Sequence, residues 1–171
     1  MRPLIKGIAV AAIHVCLIGT LGAKLVYDRA TLPRVWASTV PRDPDLPLRG
    51  RYVSLQLVVT PNWFPGAESS HRHDVTLRAE DGSLVADIKK GDDRNTERGP
   101  RVRHVTINDE NVTVLSDPVA FFIPEHVPDP SLLQTNERLW VEATIPKKGA
   151  PRPIRLGVSK NNGPIEPLNL R

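Results

Sequence analysis

The hydrophobic pattern of the chain changes character once. Residues 7–23 carry no charged side chain; Arg2 and Lys6 precede that run and Lys24 follows it. About 17 apolar and small residues, about 20 when the stems of Lys6 and Lys24 snorkel, suffice to cross a bilayer as a helix. Beyond residue 30 the period shortens to two. Alternating β-branched and apolar residues, cut by Gly, Pro, Asn and Asp clusters, predict an all-β region. Its clearest stretch is 52–60, with Val53, Leu55, Leu57 and Val59 on one face and Ser54 and Gln56 on the other.

The same pattern predicts strands over 35–40, 73–80, 84–89, 102–108, 112–115, 139–145 and 154–159, with 121–123 as a short buried edge. Asp81-Gly82 is a hairpin turn by composition, and Asp109-Glu110-Asn111 is read as the connection of a second hairpin. Pro41, Pro44 and Pro47 end the first strand in an extended loop, because proline donates no ladder hydrogen bond. Pro61 to Pro65, enclosing Trp63 and Phe64, reads as a turn, and 91–100 as a charged loop. Asp129-Pro130 carries the start signal of a brief helix through Asn136. The expected fold class is therefore mainly β. A membrane anchor with its flanks occupies 1–30, and its span, a transmembrane helix, covers 4–25. One antiparallel β-sandwich or partly open β-barrel comes next over 31–171, with at most one short helix. Roughly 140 residues is an ordinary size for one domain.

A cleaved signal peptide competes with the anchor, since it also has a basic start and an apolar core. Here the apolar run exceeds the usual core length, the small-x-small pattern is poor, and Lys24 follows at once, so an uncleaved anchor is the reading preferred. His14 and Cys16 are its least apolar members. A lone neutral histidine without a charged partner is tolerated in a span, and cysteine behaves there as a small hydrophobe. Basic residues flank the span on both sides and set no clear orientation. The short N-terminal tail and its likeness to a secretory signal favour export of the β region.

Charge changes the picture less than its total suggests. The net +4 includes +3 from residues 1–30, where Arg2, Lys6, Lys24 and Arg29 stand against Asp28, so the β region is close to neutral. The basic stripe of a nucleic-acid binder is not evident, so no nucleic-acid partner is expected. Cys16 is the single cysteine, so the β region holds no disulfide and no thiolate metal or redox site. Lys147 and Lys148, with Arg152 and Arg155, read as a solvated hairpin tip rather than as a contact for anionic lipid.

Two constellations offer chemistry. His71 and His73 share a face of an extended segment and, with His104, make a weak candidate metal site. Solvated loop histidines are the commoner explanation, so no cofactor is expected. Ser38-Thr39-Val40-Pro41 resembles the Ser-x-x-Pro segment of membrane-anchored signal-peptidase-type enzymes, whose serine is paired with a lysine base; Lys89 and Lys90 are the lysines for that role. The Gly-Asp pair usual soon after that proline is missing, however. Both lysines open a charged loop, whereas a general-base lysine needs burial.

Gly50-Arg51-Tyr52-Val53-Ser54-Leu55-Gln56-Leu57 resembles the signature of the bacterial GDYXXLXY family of membrane-anchored proteins, Gly-Asp-Tyr-x-x-Leu-x-Tyr. Pro41-Arg42-Asp43-Pro44 with Leu48-Arg49 looks like the family's lead-in. Phe121-Phe122-Ile123-Pro124-Glu125 looks like its later aromatic-x-x-Pro-Glu segment. Gly50, Tyr52 and Leu55 match the signature, with Glu125 in the later segment; Arg51 stands for its Asp and Leu57 for its last Tyr. The resemblance implies a single-pass protein of the bacterial inner (cytoplasmic) membrane with a periplasmic domain, and it carries no activity. Read from the residues, the motif is structural, with Tyr52 placing its ring at a sheet edge. The function expected is a non-enzymatic envelope protein acting through an unidentified protein partner. The alternatives are a hydrolase using Ser38 and a periplasmic ligand- or metal-binding module.

Overall fold

The computed structural model describes residues 2–42, 52–63, 74–88, 99–107, 110–147 and 149–170. It divides into two compact units, Met1–Leu32 and Pro33–Arg171.

The first unit is one helix, α1 (Arg2–Thr31). Every described side chain from Ile5 to Tyr27 is exposed, including Ile8, Ile13, Leu17, Ile18 and Leu21. The segment Ile5–Thr31 is long and apolar enough to span a membrane, and its most apolar stretch is exposed throughout. Its polar side chains turn back on their own backbone: His14 Nδ1 donates to the Val10 carbonyl at 2.8 Å and Thr20 Oγ1 to that of Leu17 at 3.0 Å. Such internal satisfaction is what a non-aqueous surrounding demands.

The second unit is mainly β. Its strands are β1 (Arg34–Arg42), β2 (Tyr52–Leu57), β3 (Thr60–Pro61), β4 (Val75–Glu80), β5 (Ser83–Ile88), β6 (Val102–Ile107), β7 (Glu110–Leu115), β8 (Val119–Phe122), β9 (Glu137–Thr144), β10 (Arg152–Lys160) and β11 (Glu166–Pro167). Six of them form one sheet in the order β11-β10-β9-β1-β2-β8, antiparallel at each pairing. The sheet curls into a half-barrel, bringing β8 back towards β10.

The strand begun by β2 then leaves this sheet. Val58 bridges to Val114 of β7, and Thr60 and Pro61 pair in parallel with Val85 and Ala86 of β5. With the hairpins β4–β5 and β6–β7 joined by the Asp74–Arg101 bridge, those ladders complete a smaller hydrogen-bonded circuit. One core serves both parts: Leu55, Leu57, Leu139, Val141 and Leu156 from the large sheet pack with Val75, Leu84, Val102 and Leu115 from the hairpins.

Several sequence expectations need correction. Pro41 does not end β1; it lies opposite Leu55 in the ladder. Val58 donates its amide to the Ser38 carbonyl, so the amides of Ser38, Val40 and Arg42 point to β2, and those of residues 39 and 41 point away. On that far side the β1–β9 ladder ends at Ser38, so the missing proline donor breaks no bond there. Pro44 and Pro47 lie outside the described residues.

The second strand of the second hairpin begins two residues earlier than expected. Ile107 pairs with Glu110, so Glu110 and Asn111 belong to β7. The capping bond expected at Asp129 forms, with Ser131 N donating to Asp129 Oδ1 at 2.9 Å, but no helix follows. Instead Leu133 N turns back to the Ser131 carbonyl in a three-residue turn that helices do not contain. Finally, β8 is an edge strand but only half buried: Val119 is in the core, as is Ile123 just beyond its end, whereas Phe122 is 64% exposed.

Candidate functional site

The β1–β9 ladder runs from Arg34↔Thr144 to Ser38↔Trp140 and then opens, although both strands continue. Thr39 bridges the start of the opening by donating its buried hydroxyl to the Leu139 carbonyl at 3.0 Å. Above it lies a cleft of about 550 Å³. Val58, Val112, Leu133 and Leu139 line it with apolar surface. Ser38, Glu110, Glu137, Arg138 and the Asn161-Asn162 turn add the polar groups. That turn is tight: Asn161 and Asn162 have φ of 51° and 58°, and Gly163 N donates to the Lys160 carbonyl at 2.7 Å. Asparagine tolerates the left-handed region better than other side chains, which is why two adjoin one another here.

Glu137 is the electrostatic centre of the cleft. Lys160 Nζ lies 2.9 Å from Glu137 Oε1, and Gln134 donates its amide to Glu137 Oε2 at 3.1 Å. The hydrogen bond from Lys160 is the main cause, and that from Gln134 the second, of a Glu137 pKa held below the usual carboxylate value; the same contact raises Lys160. The carboxylate is therefore ionised and engaged, a charge that orients a ligand rather than a proton donor.

The sequence candidates scatter. Ser38 is on the cleft wall, half buried. Lys89 and Lys90 lie outside the described residues, as do His71, His73 and Gly50. His104 Nδ1 is 3.0 Å from Thr113 Oγ1 across the β6–β7 hairpin, which accounts for it as a cross-strand partner. Among the described residues no group of three or more His, Cys, Asp or Glu side chains is arranged to hold a metal.

Leu55 is fully buried in the core, and Glu125 is exposed in the turn after β8. Tyr52 stands opposite Phe122 on β8, with ring centroids 6.0 Å apart at 51°. None of Tyr52, Leu55 and Glu125 lines the cleft.

No family model, no curated protein and no solved structure matches this chain. Its site must be read from its own residues.

Sequence reasoning missed two polar groups. Gln56, on the face opposite the core leucines, is 2% exposed; its Nε2 donates to the Leu115 carbonyl at 3.2 Å and its Oε1 accepts from Arg103 Nη2 at 2.6 Å. Nothing in the local pattern tells that a hairpin folds over that face. Glu137 was equally silent, because its partner Lys160 reaches it only through the β9–β10 register.

Proposed function

We propose that this chain is a single-span, membrane-anchored envelope protein whose β region is a non-enzymatic binding module for a protein partner. The observation that carries the reading is α1. A helix of about 40 Å exposing apolar residues all round is stabilised by hydrocarbon, not by water. On this reading the protein is of the GDYXXLXY type, in the bacterial inner membrane with the β region on the periplasmic side.

The cleft where β1 and β9 part supports the binding role. Its lining mixes apolar side chains with a larger number of polar ones able to orient a ligand, and one of its two carboxylates, that of Glu137, is already committed to Lys160. A photo-crosslinking residue at Asn162 in the membrane-inserted full chain should give a discrete protein adduct. The same residue at exposed Thr76 on β4 should give none. Equal yields at both positions would remove the cleft from the proposal. A mature N-terminus starting near Lys24 would remove the anchor.

The position of Ser38 on the cleft wall favours one second reading, an anchored hydrolase with Lys89 or Lys90 as base. Labelling of Ser38 by a serine-directed probe, lost in Ser38→Ala, would establish it in place of the binding module.

A further inference from the structure

The sequence contains a single Asn-Gly pair, Asn162-Gly163, and the structure puts it in the turn between β10 and β11. That dipeptide carries a reaction of its own. The side-chain amide of an asparagine holds an electrophilic carbon, and the main-chain nitrogen of the next residue is the nucleophile beside it. When the next residue is glycine, no Cβ hinders the approach and the backbone turns freely into the reacting geometry. Asn162 and Gly163 are both exposed, so water reaches the reacting atoms.

The folded turn holds the nucleophile back. Gly163 N donates to the Lys160 carbonyl at 2.7 Å, and the amide must shed that same proton before it attacks. Asn161 N donates to the Asn136 carbonyl at 2.9 Å, which pins the turn to the residue before β9. Asn161 and Asn162 are both left-handed, at φ of 51° and 58°, so their conformation is as closely set as their hydrogen bonds.

We propose that Asn162 is a site of spontaneous deamidation, and that opening of the 160–163 turn sets its rate. In the open turn the Gly163 amide gives up its proton and its nitrogen bonds to Asn162 Cγ. The bond from Cγ to Nδ2 breaks, and the nitrogen takes up that proton and leaves as ammonia. Water then opens the cyclic imide at one of its two carbonyls. Opening at Cγ restores the main chain and leaves an aspartate. Opening at the main-chain carbonyl of residue 162 leaves an isoaspartyl linkage, in which the main chain runs through the former side chain.

Both products act on neighbours already in place. The aspartate adds a carboxylate to a cleft wall that holds Glu110 and Glu137. The isoaspartyl linkage lengthens the connection to β11, whose Glu166 and Pro167 pair with Val158 and Gly157. Ile165 and Glu166 also close over Gly157, so the longer connection loosens that cover. None of this depends on the anchor or on a partner in the cleft.

Peptide mapping by mass spectrometry tests it on the full chain in detergent at about pH 8.5, beside a synthetic peptide of residues 158–168 that is too short to hold the turn. Residue 162 should gain about 1 Da in both, with isoaspartate among the products. In the folded chain the gain should be about ten- to a hundredfold slower, because reaction follows the population of the open turn. In urea sufficient to unfold the β region, the chain and the peptide should react at the same rate. A folded chain that converts as fast as the peptide would overturn the gate. One still unmodified at residue 162 after about a hundred peptide half-lives would overturn the site. A product free of isoaspartate would mean direct hydrolysis of the side chain and would overturn the imide route.

Discussion

A Cβ at Gly157 would meet Ile165 Cγ2 at 2.8 Å, Trp36 Cζ3 at 2.9 Å and the Glu166 carbonyl oxygen at 3.1 Å, so β1 and the C-terminal segment close over a residue with no side chain. Gly157→Ala should therefore destabilise the β region by about 1–3 kcal/mol, read by thermal or denaturant unfolding in detergent, because two of the three neighbours cannot retreat without moving backbone or a tryptophan. Glu137 and Lys160 make a prediction in pH. The folded state lowers the Glu137 pKa, so its contribution is present above the unfolded carboxylate value of 4.5 and is lost as pH falls through the lower folded value. Lys160 is raised above 10.5, so its contribution is present below that value and is lost as pH rises beyond it. In Glu137→Gln both the acid-side loss and the alkaline loss should shrink; unfolding curves followed from neutral pH in each direction would show it. Neither partner announces the other in the sequence, since they are neighbours only through strand pairing.

At the scale of elements, local chemistry decided what it could reach. Asp81 and Gly82 adopt φ of 48° and 75°, the two left-handed residues of a type I′ turn, as their dipeptide promised. Gly82→Val should cost about 1–2 kcal/mol although no atom lies within 4 Å of the new Cβ, because the penalty is backbone strain rather than contact. The long apolar run became α1 for a similarly local reason, and Ile13→Arg near its middle should reduce membrane retention after alkaline extraction, at a cost of about 3 kcal/mol. Where neighbours compete, the local signal failed. Pro41 reads as a terminator only when its missing donor is weighed without knowing that β9 has already turned away. At Asp129 the cap forms as its residues predict, yet the chain reverses at Leu133, whose side chain packs against the core.

For the whole molecule, the open side of the half-barrel is where the C-terminal segment matters. Leu168 N donates to the Leu156 carbonyl, extending the β10–β11 pairing, and Leu168 and Leu170 pack on the core. A chain ending at Gly163 should lose about 2–5 kcal/mol of stability and become protease-sensitive, measured by limited proteolysis in detergent. The amino-acid sequence by itself determined the apolar helix, the all-β character of the region beyond it, one of the two hairpin turns and the alternation that buries Leu55 and Leu57. Each of these depends on residues within a few positions of one another, where backbone preference and periodicity act. Tertiary structure alone decided the crossing of the β2 strand into a second ladder, the burial of Gln56, the cleft where β1 leaves β9, and the pairing of Glu137 with Lys160. Those features join residues far apart in the chain through register, and register is set by which faces find a common core rather than by any one segment.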